Sequence, residues 1–181
     1  MPPERWSWLG EPLAIDFANT VRRRGSDYTE LLCSGADLRA WAEHEANRVP
    51  DPSEHGADTR LREVRELRDA IFALLLAAAR REPAPPGIER QVNAALAAVP
   101  LVPQLREGAV ELVAPHGTDP VDELLARTAA SAVELLASPS LAYCDAPSCG
   151  QFFLRSRRDQ RWCGPACGTR TRVARHAMRK R

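Results

Sequence analysis

Cys144, Cys149, Cys163 and Cys167 are four of the chain's five cysteines, spaced C-x4-C, then thirteen residues, then C-x3-C. Two close pairs of thiols joined by a short loop are what a tetrahedral zinc site needs. Each pair clamps one edge of the ion and the loop closes the ring. A segment this short buries too little apolar surface to order itself, so the metal has to hold it together. Four sulfurs leave no position for water, which makes the expected Zn2+ structural rather than catalytic. Two disulfides are the competing reading, and a zinc site released by oxidation is a third. The first residues, MPPERWSWLGEPLAIDFANT, carry an acid and an arginine where an export signal needs an apolar run. A reducing cytoplasm is therefore expected, and there clustered cysteines are more often metal ligands than crosslinks.

Charge gathers around the same residues. The chain is 181 residues long with a formal net charge of +1, yet ten of its 25 Lys/Arg and only two of its 24 Asp/Glu fall between Cys144 and Arg181. That stretch carries a net +8 and the remainder −7, an acidic body with a small cationic module, as expected of a nucleic-acid-binding tail. Arg172, Arg175 and Arg179 fall at i, i+3 and i+7 of a final helix, with Lys180 beside them. Arg157, Arg158 and Arg161 extend the patch from the preceding loop. Phosphates along a duplex suit such a stripe, with base reading left to a few arginines. A solubilising tail, or a patch that meets an acidic partner or the acidic body, uses the same residues.

Around the cysteines, Pro147 fixes a knuckle between the first pair and Gly150 supplies a positive φ after it. QFFLRS reads as a strand, with RRDQ turning into a second strand that ends at Trp162. Phe152, Phe153 and Trp162 give the site apolar support. Cys163 opens the final helix and Cys167 follows one turn later, where the helix N-terminus favours thiolates. Knuckle, hairpin and helix make a treble-clef-like zinc finger.

The body before it reads as mainly α. LAIDFANTVRRR (13–24) has Ala14, Phe17, Ala18 and Val21 at helical spacing, with Gly25 ending the helix. Asp16, Asn19 and Thr20 beside them form either a ligand or interaction site or local hydrogen bonds to backbone. A helix over 35–47 follows. The strongest periodic signal is a helix over about 57–81, with Leu61, Val64, Leu67, Ile71, Leu74, Leu75 and Ala78 as its core stripe and Arg and Glu on a solvated face. IERQVNAALAAV makes a further helix. Two short apolar stretches flanking Glu107–Gly108 make a β-hairpin, although Pro103 interrupts its first strand. Asp119 caps a last body helix with Pro120 in its first turn. The longest apolar run, AIFALLLAAA, is about half of what a membrane span requires. Cys33 reads as a half-buried structural thiol. His44, His55, His116 and His176 are scattered, and no phosphate loop or Ser/His/Asp spacing points to an enzyme.

CDAPSCGQFFLRSRRDQRWCGPACGTR resembles the CGNR zinc finger, and LAIDFANT with DLRAW resembles the N-terminal domain that accompanies it, the ABATE domain of stress-induced bacterial transcription regulators. The resemblance covers essentially the whole chain. It implies a multihelical domain over 1–140, a finger over 141–181, one zinc on the four cysteines, and DNA-binding regulation. The signature departs at one position: it stands here as Cys167-Gly168-Thr169-Arg170, with Thr for Asn, which loses the amide's paired donor and acceptor. Arg170 either holds the knuckle or meets a phosphate. For the body, the resemblance implies a ligand or interaction site at Asp16, Asn19 and Thr20. The size of the body points to a module that senses a small-molecule effector or dimerises, with the long helix over 57–81 as a homodimer interface. The alternative function is a zinc-finger module that binds RNA or a protein partner.

Overall fold

The structure is a computed structural model and describes residues 10–24 and 27–179. The element order is α1 (Leu13–Ala18), β1 (Val21–Arg24), β2 (Asp27–Glu30), α2 (Gly35–His44), α3 (Glu54–Arg80), α4 (Ile88–Ala98), β3 (Val102–Arg106), β4 (Ala109–Val113), α5 (Pro120–Leu136), β5 (Leu141–Cys144), β6 (Gln151–Leu154) and α6 (Pro165–Arg179). It is mainly α, with three two-stranded antiparallel hairpins among the described residues. None of its described helices is long and apolar enough to cross a membrane.

Helix α3 is the axis of the body. Ser53 caps its start by accepting from the Gly56 N–H at 3.1 Å, and Arg81 ends it in the left-handed region at φ 59°. Its stripe, with Val64, Ile71 and Leu75 fully buried, is covered by α1, α2, α4, α5 and β5. The apolar stripe of α3 is therefore packed within the chain. Helix α5 starts as expected: the Asp119 carboxylate accepts from the Val121 N–H at 2.9 Å and Pro120 occupies the first position, a cap worth about 1 kcal/mol. Helix α2 begins at Ser34 with a capping box closed by Asp37.

Three expectations change. Helix α1 stops at Ala18, and Val21–Arg24 pairs as a strand with Asp27–Glu30. The Thr20 hydroxyl donates to the Phe17 carbonyl at 2.7 Å, which turns the chain out of the helix. The helix stop expected at Gly25 lies outside the described residues. Second, the arginines of α3 are not all solvated. Arg68 is fully buried and donates to both carboxylate oxygens of Glu30, at 2.6 and 2.7 Å. It sits four residues after Val64 and three before Ile71, inside the apolar stripe, and anchors the β1–β2 hairpin to α3.

The third concerns the strand pairing of the finger. Gln151–Leu154 pairs backward with Leu141–Cys144, so the cysteine knuckle is itself the hairpin turn. Residues 155–164 form turns rather than a second strand, held by the Gln160 side-chain oxygen Oε1, which accepts from the Ser156 N–H at 2.8 Å and its hydroxyl at 3.0 Å. The β5–β6 hairpin separates two cores. Leu141, Tyr143, Phe152 and Leu154 pack with the body, while Ala142, Cys144 and Phe153 pack with Ala146, Cys149 and Cys167 around the cysteines. Alternate residues of a strand face opposite ways, so Phe152 supports the body and only Phe153 and Trp162 support the metal site.

Candidate functional site

The four thiols converge. The β5–β6 turn delivers Cys144 and Cys149, with the Gly150 N–H donating to the Cys144 carbonyl at 3.2 Å and Gly150 at φ 74° as expected. Cys163 comes from the loop just before α6, and Cys167 from the first turn of α6. All four sulfurs lie within 4.8 Å of one another, and Cys163 Sγ stands 3.5 Å from both Cys149 Sγ and Cys167 Sγ. A tetrahedral ion with Zn–S bonds of about 2.3 Å has sulfur–sulfur edges of about 3.8 Å, so the cluster fits one zinc. The sulfurs are free thiols surrounding one centre, a geometry that two separate disulfides do not share.

Two donors outside the ligand set tune the cluster. The Cys163 N–H points at Cys144 Sγ at 3.5 Å, and Arg170 Nη2 donates to Cys167 Sγ at 2.9 Å. Arg170 is thus in contact with a thiol of the cluster while its side chain remains exposed. Hydrogen bonds from the Cys149 and Cys163 thiols lower the pKa of the Cys144 thiol, and their contacts with Cys144 push those of Cys149 and Cys163 upward. The cluster thus sheds protons as an ion enters.

Helix α6 packs through a narrow strip of Cys167, Gly168 and Thr171, and Arg172, Arg175 and Arg179 are exposed along it. Gly168 lies close beneath Trp162: a Cβ at that position would stand 3.3 Å from the Trp162 ring. Thr169, in the place of the signature's Asn, accepts from Arg172 Nη2 at 3.0 Å. Arg157, Arg158 and Arg161 are exposed on the loop before α6. Arg157, Arg161 and Arg172 line a shared cavity of about 510 Å³, whereas Arg158, Arg175 and Arg179 do not. Lys180 lies outside the described residues.

In the body, Asn19 makes the contact that residue types alone did not foretell. Its Nδ2 donates to the Phe152 carbonyl at 3.0 Å and its Oδ1 accepts from the Phe152 N–H at 2.8 Å. It acts as a strand edge for β6 and clamps the body to the finger. Thr20 accepts from Arg68 at 3.4 Å, so its hydroxyl is committed within the fold. Asp16 lies apart from both: Oδ2 accepts from Arg48 Nη2 at 2.8 Å, which also pairs with Glu45, while Oδ1 is buried without a partner among the described residues. Burial, opposed by the Arg48 hydrogen bond, pushes the Asp16 carboxyl up to about 6. Arg48 itself is raised by the same pair, but half of the Asp16 carboxylate is unsatisfied, so burial prevails there. Cys33 is exposed, not half-buried, and its thiol donates to the Glu30 carbonyl at 3.3 Å.

Among curated proteins, no sequence matches the chain. The CGNR zinc finger family matches residues 141–180, which are the knuckle, its hairpin and α6. The ABATE family, described as "Putative stress-induced transcription regulator", matches residues 11–139, and a match over most of the chain means that this protein belongs to that family.

Proposed function

We propose that the chain is a DNA-binding transcription regulator, working in the cytoplasm, whose zinc-held finger contacts duplex DNA and whose body senses a ligand or pairs with a second copy. The observation that carries this reading is α6. Beyond Ala174 the helix is exposed all round, with Arg175 and Arg179 on turns that pack against nothing described. A cationic helix end that buries no face of its own fits the major groove, which admits an α-helix. The ABATE and CGNR families are regulatory rather than enzymatic, in keeping with a metal site that has no open position. Pairing of two copies has support from the β3–β4 hairpin, where Leu105 and Val110 are cross-strand partners and both face solvent. Sensing has support from the unsatisfied Asp16 and Glu45 oxygens beside Arg48.

The test is selection of random duplex fragments by the zinc-loaded protein, with Cys163→Ser as the control. An enriched sequence lost in the control is the expected result, and a palindrome in it requires a dimer. Absence of duplex binding overturns the reading in favour of an RNA or protein partner.

A further inference from the structure

The exposed arginines of the finger do not form one even surface. The 510 Å³ cavity at the head of α6 gathers Arg157, Arg161 and Arg172, with Asp159 as its one carboxylate and Trp162 in its wall. Arg157 Nε stands 3.9 Å from Asp159 and is 79% exposed, so that pair is weak and the cavity keeps a net positive charge.

What sets this cavity apart from a solvated basic tail is that its arginines are displayed by fixed parts. The turn carrying Arg157 and Arg161 is closed by the Gln160 N–H to the Arg157 carbonyl at 3.0 Å. Gln160 Nε2 bonds the Trp162 carbonyl at 3.1 Å, while its other side-chain atom holds Ser156. Trp162 rests on the bare Cα of Gly168. Arg172 is steered by Thr169, whose own hydroxyl donates to the Pro165 carbonyl at 3.3 Å. The first turn of α6 then adds the positive end of the helix dipole. Preformed donors around a concave, cationic space suit a tetrahedral oxyanion, and guanidinium forks match its oxygens in pairs.

We propose that this cavity seats one backbone phosphate of the bound DNA, held by Arg157, Arg161 and Arg172, and so fixes where α6 sits on the duplex. The proposal rests on the DNA-binding reading above. It gives Thr169 a purpose that the signature's Asn does not describe: its hydroxyl aims Arg172 into the seat.

The test uses the full zinc-loaded chain and a duplex of random sequence, with affinity measured at several salt concentrations. Each phosphate contact contributes about 0.9 to the slope of log affinity against log salt. Arg157→Ala and Arg161→Ala are each expected to lower the slope, by up to that amount because they share one phosphate, while Arg158→Ala, exposed on the same turn but outside the cavity, lowers it by less. All three retain zinc, which metal analysis checks. Equal loss from all three variants, or no loss from Arg157→Ala and Arg161→Ala, overturns the seat while leaving DNA binding intact. A wild-type chain that binds no duplex removes both readings together.

Discussion

Arg170 is a residue whose type admits two uses, and its geometry supports a role at the metal site. A guanidinium offers five donors, and one of them lies 2.9 Å from the Cys167 sulfur. A charged donor on a ligating thiolate spreads its negative charge and holds the sulfur in place, as partners behind metal ligands do. Arg170→Ala is therefore expected to raise the rate of zinc transfer to a chelator by about 10- to 100-fold. Arg170→Lys recovers part of the loss. A chromophoric chelator reads both rates directly, and an unchanged rate in Arg170→Ala would return the residue to the phosphate-facing role. Arg68 shows the opposite case. It looks like one more arginine on a charged helix, yet it is fully buried and held by Glu30. Its position within the stripe was visible in the spacing, but the partner that makes burial tolerable is 38 residues away.

At the scale of elements, β6 decides how body and finger meet. Its outer edge is not left open: Asn19, at the end of α1, supplies both a donor and an acceptor to Phe152. Phe152 then inserts its ring 4.9 Å from that of Phe72 and 5.1 Å from that of Tyr143, so one residue contributes its backbone to the clamp and its side chain to the body core. The Asn amide is matched to this role because it presents both groups on one plane. Asn19→Asp keeps the acceptor, puts an oxygen against the Phe152 carbonyl and buries a charge. We expect a loss of about 1–3 kcal/mol in urea unfolding, with Asn19→Ser costing less. Equal stability of wild type and Asn19→Asp would show that the clamp contributes nothing.

For the whole molecule, the two cores on either face of β5–β6 predict how the chain fails when metal is removed. The cysteine core is small: beyond its thiols it contains Ala142, Ala146 and Phe153, with Trp162 alongside. That is too little apolar surface to order the finger alone. The body core, by contrast, runs through α1, α2, α3, α5 and the inner face of β6 and contains none of the four thiols. Chelation at neutral pH is expected to melt residues 155–179 and leave the body folded. Limited trypsin digestion would then cut at the arginines of 155–179 and spare those before Arg80, while the thermal transition of the body persists. Simultaneous loss of the body transition would mean that the finger and body fold as one unit.

Local chemistry in the sequence determined the metal site: four thiols at knuckle spacing, a glycine at the positive φ after the second, and proline and aspartate at the helix starts all act on near neighbours. The Glu107–Gly108 turn and the core stripe of α3 were legible for the same reason, since turn preference and helical period are properties of short segments. Tertiary structure alone decided which strand pairs with Gln151–Leu154, where Asn19 points, which phenylalanine faces the metal, and that Arg68 is inside. Each of these depends on a partner distant in the chain, and the residue types involved are satisfied equally well by solvent or by local backbone until the fold brings that partner within reach.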